Sequence, residues 1–314
     1  MRHLGPALLC LLAACGGNFS NDDLEYLNAL PTREELASKL PGSGKSSGQG
    51  LARRRDGLAL GDPSDIYKST QEASGTFNAG LDGLLSLLEA IRTTPPTTRE
   101  PTRRTWGPFA DSKRPGHDAR FVMERDGDSF DYRLQYKRSK AGDETWWSFL
   151  EGSFKADAGI RKGEGELHLF IEEAVAKGLE VGEGLRGLRR LDIGYQTRQQ
   201  PIRVEMIFAA PSTTSSEIRY TYREQTGGFG EMRFLLKNTD AVPGNAKEDV
   251  EITSRWTPSS GGVGMYTILV GDLLGASFQE CWDAQGRILY AKGSWQLFGI
   301  GRLSDCIQVP DFGP

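Results

Sequence analysis

The chain has 314 residues, with 38 Lys and Arg against 42 Asp and Glu, a formal net charge of −4 and 38% hydrophobic residues. That length suffices for a large domain with its own hydrophobic core. The slightly acidic balance lacks the positive surplus that nucleic-acid binding needs, and three His and four Cys without clustered spacing leave little material for a metal site.

Met1 to Ala14 reads as an export signal. Arg2 supplies a cationic start, Leu8 to Leu12 an apolar stretch too short to span a bilayer, and Ala13 and Ala14 the small residues before a cut. Cys15, placed directly after Leu12-Ala13-Ala14, resembles the lipobox of bacterial lipoproteins. The resemblance implies cleavage before Cys15, a diacylglycerol thioether on its sulfur and an acyl chain such as palmitate on the new N-terminus. It also implies the outer membrane, facing periplasm or cell surface, because Gly16 stands where inner-membrane retention usually needs Asp. Acyl chains at about 0.8 kcal/mol per buried CH₂ would fix the protein to that membrane. Loss of Arg2 with the signal takes the formal charge from −4 to −5. Once Cys10 leaves and Cys15 carries lipid, Cys281 and Cys306 remain, and in an exported chain this pair is expected to form a disulfide. Closing a loop of about 25 residues is worth about 3.5 kcal/mol in the chain-entropy picture.

Residues 15–61 are expected to form a lipidated N-terminus and flexible tether carrying two short helices. Leu24, Leu27 and Leu30 share helical spacing from Asn21 onward, and Thr32-Arg33-Glu34-Glu35 is a capping box ahead of Leu36 and Leu40. Gly42 to Gly50 is rich in Gly and Ser, and Arg53-Arg54-Arg55 reads as a solvated loop within reach of anionic headgroups. Residues 62–314 are expected to form a single domain. Asp62-Pro63 opens a long helix to Arg92, with Asp62 as N-cap and Ile66, Ala73, Phe77, Leu81, Leu84 and Leu88 on one face. Gly75, Gly80 and Gly83 weaken that helix and point to close approach against a sheet. The Pro-rich stretch Thr93 to Arg104 ends it and crosses to the next element.

From Trp106 onward the period becomes two. Phe130, Tyr132, Leu134 and Tyr136 alternate with Asp131, Arg133, Gln135 and Lys137, the pattern of an antiparallel strand with one wet face. Similar runs recur through Val204 and Met206, Tyr220 and Tyr222, Met232 and Phe234, Val250 and Ile252, and Tyr266 and Ile268, separated by Gly, Asn and Asp turns. About a dozen strands at meander spacing, interrupted by a short helix near Ile171 to Leu179, predict a mainly β fold. A large antiparallel meander sheet of this kind curls into a barrel or half-barrel, and the long N-terminal helix is its natural cover.

Chemical motifs are sparse, and no catalytic residue, metal ligand or cofactor site is assigned. Gly44-Lys45-Ser46-Ser47-Gly48 matches a nucleophile-elbow pattern but lacks the flanking strand and helix, and the residue in the first P-loop glycine position is Lys39. His168 alternates with Leu167 and Leu169 as a strand-face residue, and His117-Asp118 follows Pro115-Gly116 in a turn. Carboxylates such as Glu164, Glu166, Glu172, Glu173, Glu180 and Glu183 are plentiful enough for a glycosidase-like pair, with solvent exposure as the simpler reading. The aromatic residues are more suggestive. Tyr132, Tyr136, Trp147 and Tyr220, with Tyr222, Phe234, Trp256 and Tyr266, fall on strands and are the candidate lining of an apolar ligand site, or else the filling of a solid core.

Anchor, size and expected architecture resemble the lipoprotein-carrier half-barrels and related periplasmic lipid-binding lipoproteins. The leading expectation is a lipid-anchored, non-enzymatic envelope protein that binds a lipid or other apolar ligand. The alternative is an envelope or surface docking lipoprotein with a solid core and a protein partner. A lipid-spanning barrel is disfavoured because the Arg- and Glu-bearing strand faces would need an aqueous lumen.

Overall fold

A computed structural model describes residues 19–41, 58–112, 114–157, 159–182, 185–211, 217–239 and 247–313. The signal segment, Cys15 and the tether stretch with its three consecutive arginines lie outside the described residues. The chain is mainly β. Among the described residues, fifteen strands follow one another in a single antiparallel meander, each bonded to its neighbours in sequence. They are β1 (Thr98–Glu100), β2 (Arg103–Ala110), β3 (His117–Asp126), β4 (Ser129–Arg138), β5 (Trp147–Ala156), β6 (Gly163–Phe170), β7 (Arg190–Gln196) and β8 (Ile202–Ala209). Then come β9 (Glu217–Gln225), β10 (Phe229–Thr239), β11 (Glu248–Thr257), β12 (Gly261–Val270), β13 (Ser277–Trp282), β14 (Ile288–Gly293) and β15 (Ile300–Gly301). The sheet is open: β1 and β15 are its two edges, so the half-barrel form of the expectation holds and the closed barrel does not.

Alternation does what the sequence pattern requires. On β4, Phe130, Tyr132, Leu134 and Tyr136 are buried while Asp131, Arg133 and Lys137 stand on the other face. One face of the meander thus contributes to a continuous apolar core, and the main helix α3 (Asp65–Arg92) runs across it. Contacts to α3 come from widely separated strands. A Cβ on Gly80 would lie 3.1 Å from the Phe208 ring on β8, and one on Gly264 of β12 would lie 2.4 Å from Ile66. Glycine at both positions lets helix and sheet approach closely, as the small residues in the helix sequence suggest.

The start of α3 differs from the sequence expectation. Ser64, not Asp62, is the N-cap: its Oγ accepts from the Tyr67 N–H at 3.0 Å and donates to the buried Glu280 carboxylate on β13 at 2.6 Å. The same carboxylate accepts the Ile66 N–H at 3.1 Å. Asp62 instead accepts the Ala59 N–H at 3.0 Å, and Pro63 bridges to Arg287 beside β14. Sheet and cap compete for the first turn, and the buried carboxylate decides where the helix begins.

The two short N-terminal helices form where their spacing places them, as α1 (Asn21–Asn28) and α2 (Arg33–Leu36), each with a capping box. They are docked. Tyr26, Leu27, Leu30, Leu36 and Leu40 join the common core, because an apolar helix face this close to an open sheet is buried more favourably than solvated. The expected free tether therefore excludes 19–41. Asp23 fixes the position of α1: its buried carboxylate accepts from Arg104 at 2.8 Å, from Arg99 at 3.0 Å and from the Ser20 N–H at 2.9 Å. Burial alone would raise the Asp23 pKa, but the Ser20, Arg104 and Arg99 donors outweigh it and hold the group at about 2. On the outer face, Cys281 and Cys306 are joined by a disulfide that ties the C-terminal segment to β13. That segment ends over Arg223, which bonds the Phe312 and Gly313 carbonyls and shares the buried Glu231 with Arg255.

Replacing Glu280 by Leu strands two buried donors at the helix start and is expected to cost about 2–4 kcal/mol in denaturant unfolding. Because Asp23 titrates below the ordinary carboxylate range, its contribution is present above about pH 4 and is lost as pH falls through about 2. Asp23→Asn is accordingly expected to lower neutral-pH stability by about 2 kcal/mol and to flatten the acid limb of the stability profile in that window.

Candidate functional site

The two halves of α3 cover the sheet differently. Under the N-terminal half the core is filled by the aromatic residues singled out from the sequence. Tyr222 stacks on Trp256 at 6.1 Å with Phe77 of α3 against it, Tyr220 stacks on Phe234 at 6.2 Å, and Tyr266 on Phe278 at 5.3 Å. The Tyr222 hydroxyl accepts the Lys39 N–H and donates to Glu224, and burial pushes its pKa well up. Tyr132 lies fully buried further along the same face, its phenol also pushed up by burial.

Along one flank of the C-terminal half the packing opens into a cavity of about 560 Å³ that reaches the surface at Ser86, Ala90 and Phe109. Leu84, Leu87 and Ile91 of α3 form its roof. Trp106 and Phe121 of β2 and β3, Leu134 of β4, Phe149 of β5 and Leu169 of β6 form its floor. Trp106 is held by its indole N–H, which donates to the Thr94 carbonyl at 2.6 Å just past the helix. The size falls in the range of about 300–1,000 Å³ typical of small-molecule sites.

A small polar group stands at the mouth. Asp111 and Arg114, in the β2–β3 connection, pair at 3.0 Å, and the Tyr136 hydroxyl lies 3.3 Å from both side chains. Arg114 also donates to the Glu180 carbonyl at 2.9 Å, which ties this connection to the β6–β7 segment where Val181 and Leu185 complete the rim. Burial pushes Tyr136 up to about 12, so it stays a neutral hydrogen-bonding phenol at any physiological pH. Among the described residues, the arrangement sets an apolar volume beside a small polar group and pairs no nucleophile with a base.

Of the eight aromatic candidates, Tyr136 lines this cavity and Trp147 backs Tyr136 at 6.0 Å, whereas Tyr132, Tyr220, Tyr222, Phe234, Trp256 and Tyr266 pack in the core. Residues missed from the sequence are Asp111, Arg114 and Leu87. Trp106 and the helix leucines carried a burial signal, but nothing in the sequence says that a gap separates them.

The other chemical candidates sit elsewhere. His168 faces outward on β6 and bonds Asp192 at 2.7 Å, with Arg190 on the same carboxylate. His117 is buried at the start of β3, and neither ring nitrogen has a hydrogen-bond partner among the described residues. Glu164 and Glu166 line an outer-face groove of about 640 Å³ between β4 and β8, where Glu164 pairs with Arg198 at 3.2 Å. Glu172 and Glu173 lie on α4 (Ile171–Ala176), and Glu183 falls outside the described residues. Among the described residues there is no group of three or more metal-ligating side chains and no helix long and apolar enough to cross a membrane. Comparison of the chain with protein-family models, curated proteins and solved structures finds no match.

The Asp192 hydrogen bond raises the His168 pKa against partial burial. The stabilisation is present below the ordinary histidine value and is lost as pH rises through the raised one. An NMR titration of the His168 ring is expected to give a midpoint above about 6.5, falling back toward that value in Asp192→Asn.

Proposed function

We propose that this protein is a lipid-anchored envelope component that binds an acyl chain or similar apolar ligand between α3 and the β2–β6 part of the sheet. The observation that carries the reading is the apolar cavity of about 560 Å³ with the Asp111–Arg114–Tyr136 group at its mouth. Apolar walls favour a hydrocarbon by removing its surface from water, and the few polar groups at the rim meet whatever polar end it carries. The anchor at Cys15 and the outer-membrane location extend the lipobox resemblance. Cavity and anchor together support a carrier or sensor of membrane-derived lipids.

A second reading, a docking lipoprotein, is favoured by one observation. Leu273 and Leu274, between β12 and β13, and Leu297 and Phe298, between β14 and β15, are solvent-exposed on neighbouring connections at one end of the sheet. The ion pairing of Arg133 with Glu124 and of Arg219 with Glu205 on the outer face leaves less unpaired charge for such docking.

The discriminating experiment is native mass spectrometry of the exported full-length chain carrying Cys15→Ser, purified without detergent, followed by solvent extraction. A co-purifying lipid near one per chain is expected. Ala119 lines the cavity from β3, and Ala119→Trp is expected to reduce ligand occupancy at least fivefold while the circular dichroism spectrum stays unchanged. An empty, folded chain that also takes up no added fatty acid sinks the ligand reading and turns attention to the exposed apolar connections.

A further inference from the structure

On the opposite flank of α3 a second cleft, of about 830 Å³, lies between α1–α2, the C-terminal half of the helix and the β5–β6 turn. Among the described residues three arginines line it, and two of them keep a buried guanidinium nitrogen without a hydrogen-bond partner. Arg33 is engaged by Asp82 at 2.7 Å. The Arg92 side chain is 8% exposed and pairs with Glu89 at 3.7 Å, but its buried Nη2 has no hydrogen-bond partner among the described residues. Arg161, in the β5–β6 turn, has no carboxylate partner among the described residues, and its Nε is likewise buried without a hydrogen-bond partner. Its backbone is held in the left-handed region at φ 58°, with the Thr197 hydroxyl donating to its carbonyl at 2.8 Å. Burial first, and the Arg161 charge second, push the Arg92 pKa below its usual value.

Two guanidinium groups kept close together, each with an unsatisfied N–H, are costly unless something negative completes them. Guanidinium forks match tetrahedral and planar oxyanions, which accept several hydrogen bonds at once. We propose that this cleft binds a compact phosphate-class oxyanion between Arg92 and Arg161. Glu34 and Glu89 at the rim repel extended polyanions, so the ligand must be small enough to reach past them. Ser86 and Ala90 line both this cleft and the apolar cavity, which places the anion site beside the hydrocarbon site with one helix turn between them. The anion is either free phosphate or the headgroup of a phosphate ester whose chain lies across that turn. The site itself does not rest on the apolar-ligand reading.

The test is isothermal titration of the full-length Cys15→Ser chain with inorganic phosphate and, separately, with a water-soluble lysophosphatidate. The same titrations are run on Arg161→Gln and Ala119→Trp. Arg161→Gln is expected to weaken both ligands at least tenfold with the circular dichroism spectrum unchanged, and phosphate binding is expected to survive Ala119→Trp. Should Arg161→Gln not fold, Arg161→Lys, which keeps charge but loses the fork, is expected to weaken phosphate at least threefold. Lysophosphatidate binding tighter than phosphate, with that advantage lost in Ala119→Trp, assigns the anion to a lipid headgroup. Equal affinities, unaffected by Ala119→Trp, assign it to a free oxyanion. Binding of neither ligand to the parent chain, or binding unchanged by the folded Arg161 variants, overturns the proposal.

Discussion

An antiparallel meander of fifteen strands that does not close leaves one long apolar face that nothing in the sheet itself can cover. Everything else in the structure answers that constraint. Helix α3 crosses the face at contact distance, with Gly80 and Gly264 admitting it, and its first turn is fixed to the sheet by the Ser64–Glu280 hydrogen bond. Helices α1 and α2 extend the cover, held by the Asp23–Arg104 pair at the other end of the meander. A buried carboxylate thus stands at each attachment, where directional hydrogen bonds fix placement that nondirectional apolar burial leaves loose.

One straight helix cannot match a wide curved face equally well along its whole length. Where Phe77 meets Tyr222 and Trp256, large rings fill the space between layers. Toward Arg92 the facing residues are leucines and isoleucine over Trp106 and Phe121, and the gap remains as a cavity. The proposed ligand site is thus a consequence of how the open sheet is covered. Its polar gate lies on the β2–β3 connection, which is joined to the β6–β7 segment by the Arg114–Glu180 contact.

Much of the fold was legible because period-two alternation is a direct imprint of a sheet with one buried face. Residues 130–137 read correctly for that reason, as do Tyr220 and Tyr222 on β9, whereas Ile218 on that strand is exposed and Arg223 is buried. The short edge strands β1 and β15 escaped, since Thr98–Glu100 lies in a Pro-rich crossover and Ile300–Gly301 is only two residues long. The N-cap shifted from Asp62 to Ser64 because the deciding partner, Glu280, is 216 residues away in sequence. The docking of α1 and α2 was illegible for the same reason: their apolar spacing announces a buried face but not the surface that buries it. For the candidate site, the aromatic pattern identified the correct face of the sheet and could not say which part is filled. A cavity is an absence between side chains, and the Asp111–Arg114–Tyr136 group exists only after β2, β3 and β4 are paired.

The most direct test of the account is resonance energy transfer from Trp106, which lines the cavity floor, to bound cis-parinaric acid in the full-length Cys15→Ser chain. Saturable transfer is expected, displaced by a saturated fatty acid and falling sharply in Trp106→Phe, with the other five tryptophans intact. Parinarate that gives no transfer, or transfer indifferent to Trp106→Phe, would place any apolar ligand outside the covered face and contradict the idea that the loose end of α3 roofs a binding site.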